Sequence, residues 1–357
     1  MTPPPRGDFY GVLDQLRAFA AVAVVFSHFV GNFLDYRSSA WVPNEYVVRF
    51  VESPLGIVGH FGWIGVAVFF LISGVVITHA ATRETGAEFI VRRLMRIYPP
   101  VIATVVLVMV LAGLGVLSVG LMERPTIGEG ALAASLANWL VPEQPTALLA
   151  VGWTLVIEMF FYLAVLVARP LLAPLPGAVP AVVLALSLGV SWLPIGAAAH
   201  YAAYLPVLVL GQVLYLVAAK RIGVLSGAAF MAVAWVIAVA AAERLGTPLA
   251  EPGALANVAL AVLVVVVAML LEGRVRPNRV IAAVSRRSYS LYLVHVPVGF
   301  SVALALDLYT ETPYTVSLLA AIATTAVATE VMYRLVERPS RTLGARLGRR
   351  IRRASTV

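Results

Sequence analysis

The residues that can do chemistry lie inside long apolar stretches. The first, about residues 10–33, carries Asp14, Arg17 and His28. His28 is eleven residues beyond Arg17. At about 100° per residue the two lie about 20° apart on one helix face, with about 16 Å between them along the axis. Asp14 sits on the same stripe. An imidazole there can take up and return a proton as a general base. A further stretch, Gly152–Tyr162 (GWTLVIEMFFY), holds Glu158 among aromatics, with Tyr162 one turn on. A carboxylate at membrane depth is costly and needs an arginine, a histidine or a proton. In Ser288–Pro297 (SYSLYLVHVP), Ser288, Tyr292 and His295 share a face, and Pro297 predicts a kink. Arg92, Arg93 and Arg96 stand in RRLMRIYP. Arg93 and Arg96 share a face if the segment is helical, and guanidinium forks suit phosphate oxygens. The plainer role of these arginines is anchoring at a membrane surface.

The elements that position these groups follow from composition. Of 357 residues, 61% are hydrophobic and 12% charged, far from a soluble domain. A crossing helix needs about 20 apolar residues. Ten candidate spans result, at about 10–33, 55–79, 97–120, 150–168, 173–193, 197–218, 223–242, 253–272, 287–306 and 314–335. The fold class expected is an all-α polytopic membrane protein, a bundle of about ten transmembrane helices. Residues 131–141 are too short to span. Pro99 suits the start of the third span, Gly62, Gly65 and Gly74 permit close approach of the second, and Glu337–Arg338–Pro339 is expected to end the tenth. Glu330 lies inside that tenth span. His60, His79 and His200 lie near span ends and read as interfacial.

With both termini placed in the cytoplasm, 22 of the 26 basic residues fall on that side, leaving Arg37, Arg49, Arg124 and Arg244 outside. This is the positive-inside pattern, and it fits an even number of spans. The domain division expected is 1–340 for the membrane bundle and 341–357 for a basic tail that meets anionic lipid. The absence of cysteine excludes disulfides, cysteine–zinc sites and a cysteine nucleophile. No metal-ligand pair such as HExxH, phosphate-binding loop or GxSxG elbow is present. The net charge of +8 is accounted for by membrane topology and calls for no nucleic-acid partner.

Taken together, LDQLRAFA (Leu13–Ala20) followed by His28, GVAVFFLISG (Gly65–Gly74), RRLMRIYP (Arg92–Pro99), GWTLVIEMFFY, SYSLYLVHVP and VERP (Val336–Pro339) resemble the blocks of acyltransferase family 3, in family order over residues 13–339. Val75 stands where the family commonly has Phe after serine–glycine. The resemblance implies transfer of an acyl group, often acetyl, from cytoplasmic acyl-coenzyme A to a hydroxyl of a glycan, a lipid-linked glycan or a secondary metabolite. It implies a bacterial cytoplasmic membrane as the setting; some members of the family carry a C-terminal extracytoplasmic SGNH-type domain, and this sequence, which runs to Val357, is expected to lack one. It maps the family's intramembrane histidine and motif arginine onto His28 and Arg17. The RxxR pair falls on Arg93 and Arg96, the tryptophan–glutamate motif on Trp153 and Glu158, and the last motif on Tyr292 and His295.

The mechanism expected has Arg93 and Arg96, with Arg92, on the coenzyme A phosphates. The pantetheine arm enters near Ser73 and Gly74, with Tyr292 and His295 also on the donor side. His28 is the base, Glu158 its orienter, and Arg17 neutralises charge along the donor path or pairs with Asp14. An acyl-histidine route stays open beside direct transfer. A proton-coupled transporter or flippase fits the composition equally well.

Overall fold

The computed structural model describes residues 11–115, 125–141, 148–276 and 278–354; Arg6, Arg124 and positions 116–120 of the third predicted span lie outside them. Among the described residues the regular structure is helical, with no strand. We label the main helices α1 (Gly11–Phe26), α2 (Gly62–Ala81), α3 (Gly86–Gly113), α4 (Gly152–Ala168), α5 (Ala178–Trp192), α6 (Leu205–Ala218), α7 (Val224–Leu245), α8 (Ala254–Leu271), α9 (Arg279–Val294), α10 (Tyr314–Met332) and α11 (Arg338–Ala354). Nine described helical stretches are long and apolar enough to cross a membrane. A tenth apolar helix, Ala178–Ser191, is shorter. Pro174 and Pro176 delay its start past the predicted residue 173, which leaves about 22 Å of helix in α5 against a hydrocarbon core of about 30 Å. The protein is an all-α polytopic membrane protein.

The centre of the bundle is the crossing of α2 and α6. In both, 78% of the most apolar stretch is buried, against 28% for α7 and α10. Glycine allows the crossing. A Cβ on Gly74 would lie 2.1 Å from the Leu208 carbonyl oxygen, and one on Gly211 would lie 2.0 Å from the Leu71 carbonyl oxygen. The two backbones touch where no side chain fits. Gly65 plays the same part against α1, where a Cβ would meet the Ala20 carbonyl oxygen at 2.7 Å.

Three π turns interrupt the long helices. Ser27–Asn32 follows α1, His295–Phe300 follows α9, and Tyr333–Glu337 joins α10 to α11. A π turn skips one helical hydrogen bond, so it tolerates a missing N–H. Pro297 lies within the second, and Pro339 follows the third by two residues. The predicted kink at Pro297 is thus a π turn. The first two π turns pack against each other. Gly299 makes this possible, since a Cβ there would strike Phe29 at 2.3 Å and Thr325 at 2.1 Å.

Two predicted helix ends are overturned. The α3 helix begins at Gly86, capped by Thr85, whose hydroxyl accepts from the Glu88 N–H at 3.2 Å. Pro99 and Pro100 therefore lie inside it, and the arginine motif is helical throughout. A good N-cap upstream outweighs the preference of proline for the first turn. Nor does the helix end at Glu337–Arg338–Pro339. The π turn absorbs Pro339, and the helix continues through α11, so the expected boundary at 340/341 falls within one helix. The α11 helix packs on α3 through Gly344 beside Met95 and Gly348 beside Glu88 and Arg92. The 131–141 segment is the end of a short helix, Ile127–Ser135, with a following turn at Ala137–Trp139.

Candidate active site

A cavity opens among α1, α2, α3, α4 and α9, with about 690 Å³ of empty space including open solvent. Its polar lining comes from Arg17, Ser73, Arg96, Thr154, Glu158, Tyr162, Ser288, Tyr289 and Tyr292, with Phe69 and Phe70 among its apolar walls. Each is delivered by helical spacing. Glu158 and Tyr162 are one turn apart on α4, and Ser288 and Tyr292 one turn apart on α9. Ser73 sits where the Gly74–Gly211 crossing fixes α2.

Glu158 accepts a hydrogen bond from the Ser73 hydroxyl. It is the one carboxylate among the cavity's lining residues, and it faces two guanidiniums, those of Arg17 and Arg96. Arg17 also lies 3.3 Å from Asp14, one turn back on α1. The pairing expected of a membrane glutamate is therefore met by a serine hydroxyl with arginines nearby. The cavity carries more positive than negative charge, which suits an anionic guest. Tyr292 is fixed by Thr154, with the two hydroxyls 2.7 Å apart, and Tyr289 donates to the Ile97 carbonyl at 3.1 Å.

His28 stands deeper, in the π turn after α1. Its Nδ1 lies 2.9 Å from the Val24 carbonyl oxygen. A carbonyl only accepts, so the neutral ring holds its proton on Nδ1 and its lone pair on Nε2. His295 has the same arrangement, with Nδ1 2.8 Å from the Tyr292 carbonyl oxygen. It is fully buried, and its Nε2 has no hydrogen-bond partner among the described residues. The two imidazoles pack edge to face, ring centres 5.0 Å apart, and the ring of Tyr292 lies 5.9 Å from that of His295. The two π turns thus bring together a pair of histidines beyond the Tyr292 end of the cavity.

The expected donor residues separate into two groups. Arg96, Ser73 and Tyr292 line the cavity; Arg92, Arg93 and His295 are not among its lining residues. Arg92 is held by Glu84 at 3.1 Å and Glu88 at 2.7 Å, and Glu88 also holds Arg352 of α11 at 2.6 Å. Arg93 lies on the Phe89 ring, 3.6 Å from Glu84. The geometry pairs Arg96 with Arg17 across the cavity, and it turns Arg92 into a tie between α3 and α11. Among the described residues no hydrogen bond links Glu158 to His28; the backbone at Val24 orients that ring. Tyr289 and Thr154 had no signal in spacing alone, because their partners lie on other helices.

Other charged residues tie helices together away from the cavity. Glu330 pairs with Arg287 of α9 and Arg334. Glu337 accepts from the Ser290 N–H at 3.2 Å and hydroxyl at 2.6 Å, and from Arg341 at 3.2 Å. Beyond the far end of α1, the ring of His60 packs over Gly31, 3.3 Å from Asp35 and 3.4 Å from Glu52. Burial raises the Glu52 carboxyl above its ordinary range, and the lowering by His60 offsets only part of that rise.

A family model described as an acyltransferase domain matches residues 10–333. Nodulation protein 10 of Rhizobium leguminosarum bv. viciae is 30% identical over 171 residues, covering 42% of this chain and 41% of that protein. The chain thus spans under half the length of that relative. No solved structure matches the chain. The matched region takes in α1 to α10, and with them the cavity and both histidines, so the chain belongs to acyltransferase family 3.

Proposed function

We propose that the protein is a membrane O-acyltransferase that moves an acyl group, with acetyl as the family default, from cytoplasmic acyl-coenzyme A to a hydroxyl of a glycan, a lipid-linked glycan or a secondary metabolite. Its setting is a bacterial cytoplasmic membrane, with both termini inside. The observation that carries the reading is the paired arrangement of Arg17 and Arg96 in the cavity and His28 beyond it, its Nε2 lone pair available.

In this reading the donor enters from the arginine-rich end, and Arg17 and Arg96 take its phosphates. The pantetheine arm follows the Ser73–Tyr292 wall. His28 Nε2 removes the proton from the acceptor hydroxyl as its oxygen bonds to the thioester carbonyl carbon. Collapse of the tetrahedral intermediate breaks the carbon–sulfur bond, and the imidazolium returns the proton to the departing thiolate. Glu158, held by Ser73, keeps the two arginines apart and oriented. The Val24 carbonyl fixes the imidazole tautomer that makes His28 a base.

The donor assignment is tested by acetyl-coenzyme A binding to the purified protein. The Arg96→Gln variant loses binding about tenfold or more, the loss of one charge-assisted contact. The Arg92→Gln variant binds as wild type does but unfolds at a lower temperature. Equal loss of binding in both variants would overturn the division between them. No binding by wild type would favour transport of the acceptor instead.

A further inference from the structure

We propose that the outer surface of α10 and α11 is a binding site for one anionic phospholipid, with its headgroup phosphate on Arg338 and Arg346 and an acyl chain in the groove between α3 and α10. The site lies apart from the cavity and does not depend on the function proposed above.

Four arginines of α11 differ in their surroundings. Arg341 and Arg352 have carboxylate partners, Glu337 and Glu88. Arg338 and Arg346 have none among the described residues, and they line one exposed depression with Arg334, Thr342 and Leu343. Arg334, also there, is engaged by Glu330 at 2.5 Å. Two free guanidiniums two helical turns apart, with a hydroxyl between them, form an anion site of headgroup size. An exposed leucine sits within it, which an ordinary solvated face does not require.

The apolar half begins where the arginines stop. A groove of about 1160 Å³, open on one side, runs along α10 and the π turn after it, from Ala323 to Val336, with Leu107 and Leu111 of α3 as its other wall. Its length is about 20 Å at 1.5 Å per residue, which exceeds half of a hydrocarbon core of about 30 Å. Val327, Val331 and Leu335 are 67%, 51% and 71% exposed along it. Groove and arginines meet at the π turn Tyr333–Glu337, where Leu335 belongs to one and Arg334 to the other. One ligand meets both halves at once: a phosphate joined to an alkyl chain. Free phosphate leaves the groove unfilled, and a neutral lipid leaves the arginines unpaired. Basic pockets beside spanning helices on the positive side of a membrane recognise such headgroups. The groove also reaches Val298 of the His295 π turn, so an occupant packs against the element that holds that histidine.

The test is thermal unfolding of the full protein in detergent, titrated with phosphatidylglycerol, phosphatidylcholine or glycerol phosphate. Wild type is expected to gain saturable stability from phosphatidylglycerol alone. Arg338→Gln with Arg346→Gln should raise the half-saturating concentration about thirtyfold, as for two arginines near a headgroup. Ala328→Phe, which fills the groove without changing charge, should raise it as well. The control, Arg349→Gln with Arg350→Gln, removes the same charge from the same helix outside the depression and should leave it unchanged. Equal weakening in that control would mean general charge attraction and would overturn the site. Equal stabilisation by phosphatidylcholine, or saturation by glycerol phosphate, would overturn it too.

Discussion

The Gly74–Gly211 crossing offers the sharpest link between packing and activity. A Cβ on Gly211 would stand 2.0 Å from the Leu71 carbonyl oxygen, 2.8 Å from its carbon and 2.9 Å from its Cα. All three atoms are backbone, so no side chain can rotate aside. Restoring ordinary contact at 3.4 Å requires α2 and α6 to separate by about 1.4 Å. Overpacking of this kind costs about 1–3 kcal/mol. The displacement also reaches Ser73, two residues from Leu71 on α2, and moves its hydroxyl off Glu158. A misplacement of about 1 Å around a reacting group can lower a rate about 100-fold. Gly211→Ala is therefore expected to lower the unfolding temperature by several degrees and the rate of thioester consumption by one to two orders of magnitude. Gly189→Ala is the control, because a Cβ there meets nothing within 4 Å and alanine favours the helix. Unfolding would be followed by intrinsic fluorescence and activity by release of free coenzyme A. A Gly211→Ala protein as stable and as active as wild type would refute the reasoning about the crossing.

Two further outcomes follow from buried carboxylates. Glu337→Gln weakens bonds to Ser290 and Arg341 at a site only 2% exposed, and should cost about 1.5–3 kcal/mol in stability; an unchanged unfolding temperature would contradict it. Glu52, raised by burial, favours folding most at low pH, and that contribution is lost as pH rises from its ordinary 4.5 through the raised value. Glu52→Gln should therefore flatten the fall in unfolding temperature across this acidic range, and an identical slope in both proteins would contradict the assignment.

Much of this arrangement was legible in the linear chain. His28 and Glu158 declare themselves because an ionisable group in an apolar window is expensive, and Gly74 because serine–glycine in such a window invites a close neighbour. Spacing gives faces, so it brought Ser288 and Tyr292 together correctly. It says nothing about partners from other helices. The carboxylates of Glu84 and Glu88 lie just upstream of Arg92, yet only the folded α3 shows that they hold it beside α11. Gly211, the other half of the central crossing, looks like any glycine in an apolar run. The π turns were invisible in part for a related reason. Pro297 signals a broken hydrogen bond, and Pro339 reads as a helix end, until a skipped bond lets the helix continue. The first π turn carries no proline at all. The pairing of His28 with His295 arises from two such turns meeting, which no periodicity encodes.

The measurement closest to the central claim separates donor binding from chemistry in His28→Ala. Acetyl-coenzyme A affinity and the rate of thioester cleavage would be measured on the same preparation. The account predicts an unchanged dissociation constant, because Arg17 and Arg96 remain, and a rate lower by about 100- to 10,000-fold, the usual contribution of a general base. A variant that keeps its rate would contradict the role given to His28, and one that loses donor binding would place that residue in the donor site instead.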